Sequence, residues 1–436
     1  LSWQGRPSFI GKGLDFIICV FKPISTSVRS KNIKCVLAKC GIGVENAGHV
    51  KLCNASIDVF KDSKGNPYRL DETNLQEIWD NTTTRKEIND ALDQGIRHDN
   101  CRLCWDAEDS GVKSIRQVTN EAYPDMEPMS NQPRVAILKP GNLCNFACRT
   151  CNVEATNQLY EIDYKLRQKP SGLLKDPESV RANEKLTYEE YIKTFESQRK
   201  SFHRDSDFWK VMDSWSDGIL HYALFGGEPF VMKPLFDMLD RSYEKGSSTN
   251  QSLYVSTNCS VWSEKYIEII KSFNEAVIGL SIDAVGDQFE YIRHPGKWEK
   301  IKQNIMKFVK LRAEHPHVTL KVSATCNPFN IYHLDELYDF FKEIDVPIDI
   351  HLIQIPECYD IRILPKRVKD AITKKHQHRS DLAHVLTFLN SEMKNAELYL
   401  KDFIYITKGT DKLRNEKFRD VMPEFDQILR KNGIEI

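Results

Sequence analysis

Short apolar runs alternate with longer amphipathic stretches through the second half of the chain. Six runs rich in β-branched residues have the length of strands: 134–139, 219–225, 252–256, 276–282, 318–324 and 348–354. Helical patterns lie between them, for example at 235–243, 264–273, 298–312 and 334–341. This alternation predicts parallel strands joined by right-handed crossovers. Six units predict an α/β fold with a partial (β/α)6 barrel, smaller than the closed eight-unit form.

The first half has a different pattern. Alternating polar and apolar residues flank the turn Asn46-Ala47-Gly48, which predicts a β-hairpin with cysteines near both ends. Residues 74–91 follow as a predicted helix, and its expected buried stripe is Leu75, Ile78, Trp79, Ile88 and Leu92. We therefore predict a small hairpin-plus-helix domain over 33–117, a proline-containing linker over 118–132, and the barrel over 133–360.

Three further segments carry weaker patterns. Residues 1–32 show no clear periodicity and form an N-terminal tail without an assigned function. The first crossover of the barrel, 152–217, is unusually long, and its polar part at 169–185 is typical of a lid, a binding loop or disorder. Residues 361–436 predict a charged helical extension, and the basic run 366–378 is interpreted as a solvated face.

Composition narrows the class of protein. The chain has 436 residues, of which 41% are hydrophobic and 28% charged, and its net charge is -1. Nothing in this balance indicates a nucleic-acid or anionic-membrane partner. No apolar run reaches the length of a membrane span, and the run at 14–21 is short and contains Asp15. Twelve cysteines clustered at metal-ligand spacings favour a reducing, cytoplasmic location.

Three cysteines follow the first predicted barrel strand directly: Cys144, Cys148 and Cys151, in a CxxxCxxC spacing. A four-iron cluster needs four ligands, so three thiolates leave one iron open to a small chelating molecule. The alternative is a helix that buries thiols at i, i+4 and i+7, because cysteine is often buried. The position after a strand favours a cluster.

A second group of cysteines lies in the first half of the chain. Cys101 and Cys104 form a CxxC pair, a common metal-ligand arrangement. Together with Cys35 and Cys53 they can close a four-thiolate site, and Cys40 can replace one of the four. Spacing alone leaves zinc and an iron–sulfur cluster equally open.

Each predicted barrel strand ends in a distinctive polar or small-residue cluster. In order these are the three-cysteine loop, Phe225-Gly-Gly-Glu-Pro229, Ser256-Thr-Asn258, Ser281-Ile-Asp283, Thr325-Cys-Asn327 and Gln354-Ile-Pro-Glu357. Because reactive groups of parallel α/β barrels lie at the carboxyl ends of the strands, all six clusters are expected at one site.

The CxxxCxxC loop after the first strand and the GGEP loop after the second resemble, in this order, the radical S-adenosylmethionine superfamily. The N-terminal motifs resemble a Twitch-type auxiliary cluster domain, a shortened relative of the SPASM domain. They comprise Cys35, the turn from Gly48 to Cys53, Cys101-x-x-Cys104-Trp-x-x-Glu108, and Ser114-x-Arg116. In many relatives this domain follows the barrel, whereas here it precedes it. The resemblance spans about residues 35–360.

The resemblance implies roles for individual residues. The three cysteines would ligate a [4Fe-4S] cluster whose open iron chelates S-adenosylmethionine. The methionine amino group would be received by Gly226, Gly227, Glu228 and Pro229. Ribose hydroxyls and the carboxylate would be bound by Ser256, Asn258, Ser281 and Asp283. Arg293 is a candidate partner for the methionine carboxylate, and the strand end containing Ile355 would pack on adenine.

Each of these roles has a simpler alternative. Glu228 can be a surface acid, Asp283 a helix N-cap, and Arg293 a member of a surface ion pair. Two residues depart from the superfamily pattern. Thr150 stands where an aromatic residue is frequent, and Cys259 stands where glycine is frequent. Neither departure removes a ligand, although the first weakens the expected adenine packing.

The implied activity is that of an oxidoreductase-type radical enzyme. Reductive cleavage of S-adenosylmethionine gives methionine and a 5′-deoxyadenosyl radical, which abstracts a hydrogen atom from a substrate. An external reductant such as flavodoxin or ferredoxin is the implied partner. The four-cysteine site would hold a second [4Fe-4S] cluster for electron transfer or structure. The other class of function is a non-catalytic iron–sulfur or zinc protein used for binding or electron transfer.

Two questions stay open at the level of sequence. Relatives with auxiliary domains of this type often modify peptides, so a peptide is the first expectation for the substrate and a small molecule the alternative. Cys326 and Cys358 lie at predicted strand ends, where a thiol can return a hydrogen atom to a substrate radical. The alternative for both thiols is an inert buried cysteine.

Overall fold

An eight-stranded sheet organises the chain, with strand order β2-β1-β3-β4-β5-β6-β7-β8. The computed structural model describes residues 33–109, 111, 113–167, 186–198 and 206–436. The strands are β1 Gly41–Val44, β2 Val50–Lys51, β3 Val135–Leu138, β4 His221–Leu224, β5 Ser252–Thr257, β6 Glu275–Leu280, β7 Val318–Cys326 and β8 Ile348–Leu352. The predicted tail 1–32 and the polar loop 169–185 lie outside the described residues.

Strands β3 to β8 are parallel, and each pairs with the next strand along the chain. The six apolar runs are therefore strands, as their patterns predict, and every residue of β3 and β4 is buried. Apolar β-branched runs of this kind suit a sheet that is covered on both faces. Closure of the six strands into a partial barrel stays a prediction.

The N-terminal segment joins the same sheet. Strand β1 pairs in parallel with β3, with Gly41 opposite Val135 and Val44 opposite Leu138. Strand β2 pairs with β1 in an antiparallel hairpin, and Gly48 in the connecting turn has a φ of 82°, a conformation that favours glycine. The division of the chain into domains stays a prediction, but backbone hydrogen bonds connect the hairpin directly to the parallel strands.

Among the described residues before β3 there are five α-helices: α1 Val36–Cys40, α2 Leu75–Asn81, α3 Thr83–Asp93, α4 Arg102–Asp109 and α5 Ile115–Ala122. The expected single helix over 74–91 is two helices, because Thr82 is extended and its hydroxyl donates to the carbonyl of Lys61. All five residues of the predicted stripe are buried nonetheless. Helix α5 overlaps the start of the predicted linker, and Ser114 and Gln117 form a capping box at its beginning.

The α-helices described between the parallel strands are α6 Tyr160–Arg167, α7 Tyr188–Gln198, α8 Ser206–Trp215, α9 Lys233–Glu244, α10 Glu264–Lys271, α11 Gly286–Ile292, α12 Trp298–Glu314 and α13 Leu334–Glu343. Their buried residues recur at helical spacing, as in Leu235, Phe236 and Leu239 of α9. This one-sided burial covers the sheet and leaves the strand ends free to carry polar loops.

The C-terminal extension is helical, as predicted: α14 Lys366–His376, α15 Ala383–Leu389, α16 Ala396–Arg414, α17 Phe418–Val421 and α18 Pro423–Lys431. Helix α16 packs against α6 and against the short turn Glu357–Tyr359 that follows β8. The extension therefore reaches the carboxyl ends of the strands. Among the described residues, no helix is both long and apolar enough to cross a membrane.

Candidate functional site

The loops after β3 and β4 are in backbone contact. Gly226 and Gly227 have φ values of 81° and 52°, where a side chain is strained. A Cβ atom on Gly227 would lie 2.0 Å from the carbonyl oxygen of Leu143, immediately before Cys144. The amide of Glu228 donates to the same oxygen at 2.9 Å. The two glycines thus allow the GGEP loop to lie directly against the three-cysteine loop.

The three cysteines of this loop differ in environment. Cys148 is buried, Cys144 is half-buried and Cys151 is exposed. A hydrogen bond between the thiols of Cys148 and Cys151 lowers the pKa of Cys148 and raises that of Cys151. Burial raises the pKa of Cys144 to about 12. Since a thiolate is the form that binds metal, loading this loop must release protons.

Of the three cysteines, Cys148 and Cys151 are in direct thiol contact. In the described ranges, no three His, Cys, Asp or Glu side chains already stand in a metal-binding geometry. The donor set still fits an iron–sulfur cluster, because its ligands are soft thiolates and the amide of Phe146 already donates to Cys144 Sγ at 3.4 Å. Such amide donors compensate negative charge on sulfur.

Glu228 is an internal acid, only 1% exposed. Its carboxylate accepts from Phe230 N at 3.0 Å, from Thr257 Oγ1 at 2.9 Å and from Asn258 N at 2.6 Å. Burial raises the pKa of Glu228 to about 7, although these three donors oppose the shift. The alternative of a surface acid is therefore wrong, and the carboxylate connects the end of β4 to the end of β5.

Asn258 extends this connection to the cysteine loop. Its Nδ2 donates to Oδ1 of Asn145 at 2.9 Å, and Asn145 Nδ2 donates to Ser260 Oγ at 2.8 Å. Ser256 Oγ donates to the carbonyl of Leu224 at 3.3 Å. The amide of Ser281 donates to the carbonyl of Thr257. The ends of β3, β4, β5 and β6 are thus held together by direct hydrogen bonds.

Asp283 and Arg293 are partners of each other. Arg293 Nε donates to Asp283 Oδ2 at 2.8 Å, and Thr325 N donates to Asp283 Oδ1 at 2.8 Å. Burial alone would lower the pKa of Arg293, but the Asp283 carboxylate holds it well above its usual range. Asp283 does not cap α11, whose N-cap residue is Val285, and the ion pair is buried rather than at the surface. Both simpler alternatives are therefore wrong.

The predicted residues after β7 and β8 are placed differently. Cys151, Ile355 and Cys358 line one cavity of about 510 Å³, and Ile355 is 85% exposed at its edge. Cys326 is fully buried and does not line this cavity. Cys259 has a φ of 62°, which gives a physical reason for the frequent glycine at this position.

The other four cysteines meet at a second, much smaller cavity. Cys35, Cys53, Cys101 and Cys104 all line a space of about 10 Å³. Burial and the neighbouring thiols raise the pKa of Cys35 to about 12 and that of Cys101 to about 11. Cys40 is elsewhere, with its Sγ 4.0 Å from the carbonyl of Met126. The donor set, four thiols around one space, fits a metal centre with all ligands from the protein.

A buried ion pair supports this four-cysteine cavity. Arg116, which lines the cavity, donates to Glu108 through Nε at 3.0 Å and Nη2 at 2.8 Å. Ser114 Oγ donates to the same carboxylate at 2.5 Å, and Arg116 Nη1 donates to the carbonyl of Lys34 at 2.7 Å. The motif residues after the CxxC pair therefore connect α4, α5 and the segment before Cys35.

Sequence reasoning missed a set of contacts from the C-terminal extension. Arg149, between two of the loop cysteines, donates through Nη2 to Asp411 at 2.6 Å and to Glu416 at 2.5 Å. Its guanidinium lies 3.5 Å from the ring centre of Tyr291, and Arg414 donates to the carbonyl of Ala147. The sequence signal was an arginine inside the cysteine motif; the charged extension gave no indication of its partner.

Comparisons with known proteins return only structural matches. No family model and no curated protein matches this sequence. The matching solved structures include anSMEcpe with bound AdoMet, at a TM-score of 0.37 and 16% identity; the match covers 57% of this chain and 62% of that chain. The chain thus spans less than two thirds of anSMEcpe.

Two further matches have lower TM-scores. SuiB from Streptococcus suis, bound to its precursor peptide SuiA, has a TM-score of 0.33 and 12% identity, with 84% of this chain and 71% of SuiB covered. TsrM from Kitasatospora setae, a radical S-adenosylmethionine methyltransferase, has a TM-score of 0.27 and 13% identity, with 33% and 30% covered. These matched structures are radical S-adenosylmethionine enzymes, the class that the cysteine and GGEP motifs resemble. Because the TM-scores of these three matches are below 0.5, the function proposed below rests on the motifs and the site geometry.

Proposed function

We propose that this chain is a radical S-adenosylmethionine enzyme. The observation that carries the proposal is the direct contact between a three-cysteine loop after β3 and the GGEP loop after β4. Three thiolates leave one iron of a four-iron cluster open, and the neighbouring loop offers backbone polar groups beside it. A pure electron carrier needs neither feature.

The residues have distinct tasks in this proposal. Cys144, Cys148 and Cys151 would hold the cluster, which would supply the electron for the cleavage of bound S-adenosylmethionine. Gly226 and Gly227 let the backbone approach the methionine amino group. Glu228 keeps the GGEP loop in place through its bonds to the β5 end, so we assign it positioning as well as charge.

The pairing of Asp283 with Arg293 modifies the expected binding roles. The Asp283 carboxylate is already engaged by Arg293 Nε and by Thr325 N, so it is not a free partner for the ribose diol, whereas Arg293 uses only its Nε in this pair. We propose that the ion pair orients both side chains and that the free Nη groups of Arg293 serve the methionine carboxylate. Ser256, Asn258 and Ser281 line the neighbouring strand ends for the ribose.

The four-cysteine cavity is proposed to hold a second [4Fe-4S] cluster. With all ligands from the protein, this site would serve electron transfer or structure rather than substrate ligation. Zinc is the competing occupant, since four thiolates also suit a structural zinc site. An external reductant, a flavodoxin or a ferredoxin, and a peptide or small-molecule substrate complete the proposal.

The decisive experiment is anaerobic reconstitution with iron and sulfide, followed by dithionite and S-adenosylmethionine. Formation of 5′-deoxyadenosine is expected from the wild type and is expected to be lost in Cys144→Ala. Absence of the product from the wild type, or equal product from both proteins, contradicts the proposal.

Metal analysis separates the two possible occupants of the four-cysteine cavity. About eight iron atoms per chain indicate two clusters, whereas about four iron atoms with one zinc assign the second site to zinc. Bound iron or zinc without formation of 5′-deoxyadenosine would favour the non-catalytic iron–sulfur or zinc protein.

A further inference from the structure

The end of helix α16 lies against the three-cysteine loop. Arg414, the last residue of α16, donates to the carbonyl of Ala147, directly before the middle cysteine of the loop. Asp411 and Glu416 both accept from Arg149, directly after that cysteine. We call Asp411, Arg414 and Glu416 the C-terminal clamp. The middle cysteine is thus flanked on both sides by residues that the clamp holds.

The two acids of the clamp are fixed by further hydrogen bonds. Asp411 Oδ1 accepts from the hydroxyl of Tyr291 at 2.8 Å, and Asp411 Oδ2 accepts from the amide of Phe418 at 2.9 Å. Glu416 Oε1 lies 2.8 Å from Nδ1 of His294. Hydrogen bonds to a charged group are short and strong, so the two acids fix the guanidinium that both of them bind.

The backbone of the loop is also bound to the end of α11 and to the residues after it. The amide of Ala147 donates to the carbonyl of His294 at 2.7 Å, and the amide of Arg149 donates to the carbonyl of Ile292 at 2.8 Å. Arg149 Nε donates to the carbonyl of Tyr291 at 2.8 Å. The middle of the loop is therefore held from two directions, by this segment and by the clamp.

Arg414 differs from Arg149 in the state of its charge. Within the described part of the chain Arg414 forms no ion pair, and its Nε and Nη1 have no hydrogen-bond partner. Burial lowers the pKa of Arg414 to about 10, so the guanidinium is still charged at neutral pH. Its charge reaches the middle cysteine: a hydrogen bond with Cys151 lowers the pKa of Cys148 most, and the charges of Arg293 and Arg414 lower it further.

A positive charge beside a cluster acts on its reduction potential. Reduction of an iron–sulfur cluster adds one negative charge, so a nearby guanidinium favours the reduced form and a nearby carboxylate opposes it. The effect is large for buried groups, because water and salt screen them little. Arg414 and Glu416 are therefore expected to act on the potential with opposite sign.

We propose that the C-terminal clamp is a part of the three-cysteine site. Arg149 positions the loop backbone between two of its cysteines, and Arg414 supplies positive charge that raises the reduction potential of the cluster bound there. That a [4Fe-4S] cluster occupies the loop rests on the proposed function. Helix α16 lies outside the motifs of the resemblance, so the resemblance does not imply this role.

Redox titration of the reconstituted full chain, followed by electron paramagnetic resonance, tests the charge effect. The signal that is lost in Cys144→Ala identifies the cluster of the three-cysteine loop. Arg414→Gln is expected to reduce the equilibrium constant for one-electron reduction about 10-fold, which lowers the midpoint potential by about 59 mV. Arg414→Lys keeps the charge and should restore most of the shift. Glu416→Gln removes a negative charge and should raise the potential.

The control for the charge effect is Lys412→Gln. It removes the same charge from the same helix, but Lys412 is exposed. Because solvent and salt screen an exposed charge, its equilibrium constant should stay within about twofold of the wild type. A purely structural role of Arg414 and Glu416 would not give shifts of opposite sign for the two substitutions.

Hydrogen exchange of the metal-free full chain tests the positioning role. Arg149→Lys keeps the charge, but an ammonium group cannot reproduce the bonds of the planar guanidinium. Amides in peptides covering 145–152 are expected to exchange about 10-fold faster, whereas peptides from strand β5 should exchange as in the wild type. Arg419→Lys, at an exposed arginine of α17, is the matched control and should change neither.

Three results contradict these roles. Unchanged exchange of the loop in Arg149→Lys would show that Arg149 does not position it. Potential shifts of the same sign in Arg414→Gln and Glu416→Gln, or no shift in either, would remove the charge effect while the wild-type cluster still supports the proposed function. A wild type that binds no cluster contradicts the proposed function and the charge effect together.

Discussion

The two cysteine sites of this chain differ in how completely the protein encloses them. The four-cysteine cavity has about 10 Å³ of free space and four thiols on its wall. The three-cysteine loop contacts the GGEP loop on one side and borders a cavity of about 510 Å³ on the other. The four thiols leave almost no free space at the first site, whereas the second has an open space beside it and, in the proposed function, one free iron position.

The comparison shows how thiol groups at two sites of one chain can be suited to different chemistry, because the protein controls access to each site. Thiolates alone decide affinity for a soft metal, but access decides whether a second molecule reaches it. The closed site is supported by the buried Glu108–Arg116 pair. The open site is supported by the buried Asp283–Arg293 pair, by hydrogen bonds between its loops and by close backbone contact. Four predictions test this contrast.

The largest effect is expected from removing one thiol from each site. Cys144→Ala should abolish 5′-deoxyadenosine formation, a loss of at least ~10³-fold, because the proposed cluster would lose one of its three thiolate ligands. Cys101→Ala should lower the metal content of the closed site while cleavage of S-adenosylmethionine persists. Product formation and metal content are measured on the same anaerobic samples.

Cys40→Ala is the control for this pair, because Cys40 lies outside the four-cysteine cavity. It should keep both the metal and the product. If Cys101→Ala loses product as completely as Cys144→Ala, the contrast between the two sites fails.

The next effect concerns the ion pair behind the closed site. Arg116→Ala leaves Glu108 charged and without its main partner in a position where the two side chains are only 5% and 10% exposed. We expect the free energy of unfolding to fall by about 3–5 kcal/mol. Arg97→Ala, which removes a pair that is 44% and 61% exposed, should cost about 0–1 kcal/mol. Denaturant unfolding measures the free energy of unfolding of both variants. Similar losses for Arg116→Ala and Arg97→Ala would show that the Glu108–Arg116 pair does not stabilise the four-cysteine site.

A third, smaller effect tests the backbone contact at the open site. Gly227→Ala adds left-handed strain and a collision with the Leu143 carbonyl, so we expect a loss of about 2–4 kcal/mol. Gly246→Ala shares the positive φ but has nothing within 4 Å of its Cβ, so strain alone should cost about 1 kcal/mol. Thermal unfolding gives the comparison. Equal shifts would mean that contact with the cysteine loop is unimportant.

The smallest expected effect is a pH dependence of the free energy of unfolding. It comes from Asp402, which lines the cavity beside the three-cysteine loop. Burial raises the pKa of Asp402 to about 6, so between about pH 4 and pH 6 the native carboxyl keeps a proton that the unfolded chain releases. The free energy of unfolding should therefore fall as pH rises through this range. The contribution is on the order of 1–2 kcal/mol.

Unfolding at pH 4.5, 5.5 and 6.5 measures this dependence in the wild type and in Asp402→Asn. The variant should lose the Asp402 contribution to the slope, whereas the exposed Asp420→Asn should keep it. Parallel slopes for the wild type and Asp402→Asn would show that Asp402 ionises normally in the folded protein.

Much of the architecture was predictable because it depends on local pattern. The six strands follow from short β-branched runs, and their polar ends follow from parallel pairing. The four-cysteine set was predictable from the CxxC spacing and the hairpin that returns Cys53 towards Cys35. The break between α2 and α3 was not, because Thr82 is held by a carbonyl about twenty residues earlier in the chain.

The amino-acid sequence by itself determined the strand order of β3 to β8, the cysteine spacings and the need for glycine in the GGEP loop. All of these depend on neighbouring residues or on a repeated unit. Only the tertiary structure decided that β1 pairs with β3 and that Asp283 forms an ion pair with Arg293. It also decided that α16 lines a cavity beside Cys151. These contacts join distant segments: Arg149 and Asp411 are separated by 262 positions. Local periodicity holds no information about such partners, since burial and charge pairing are settled only when the segments pack.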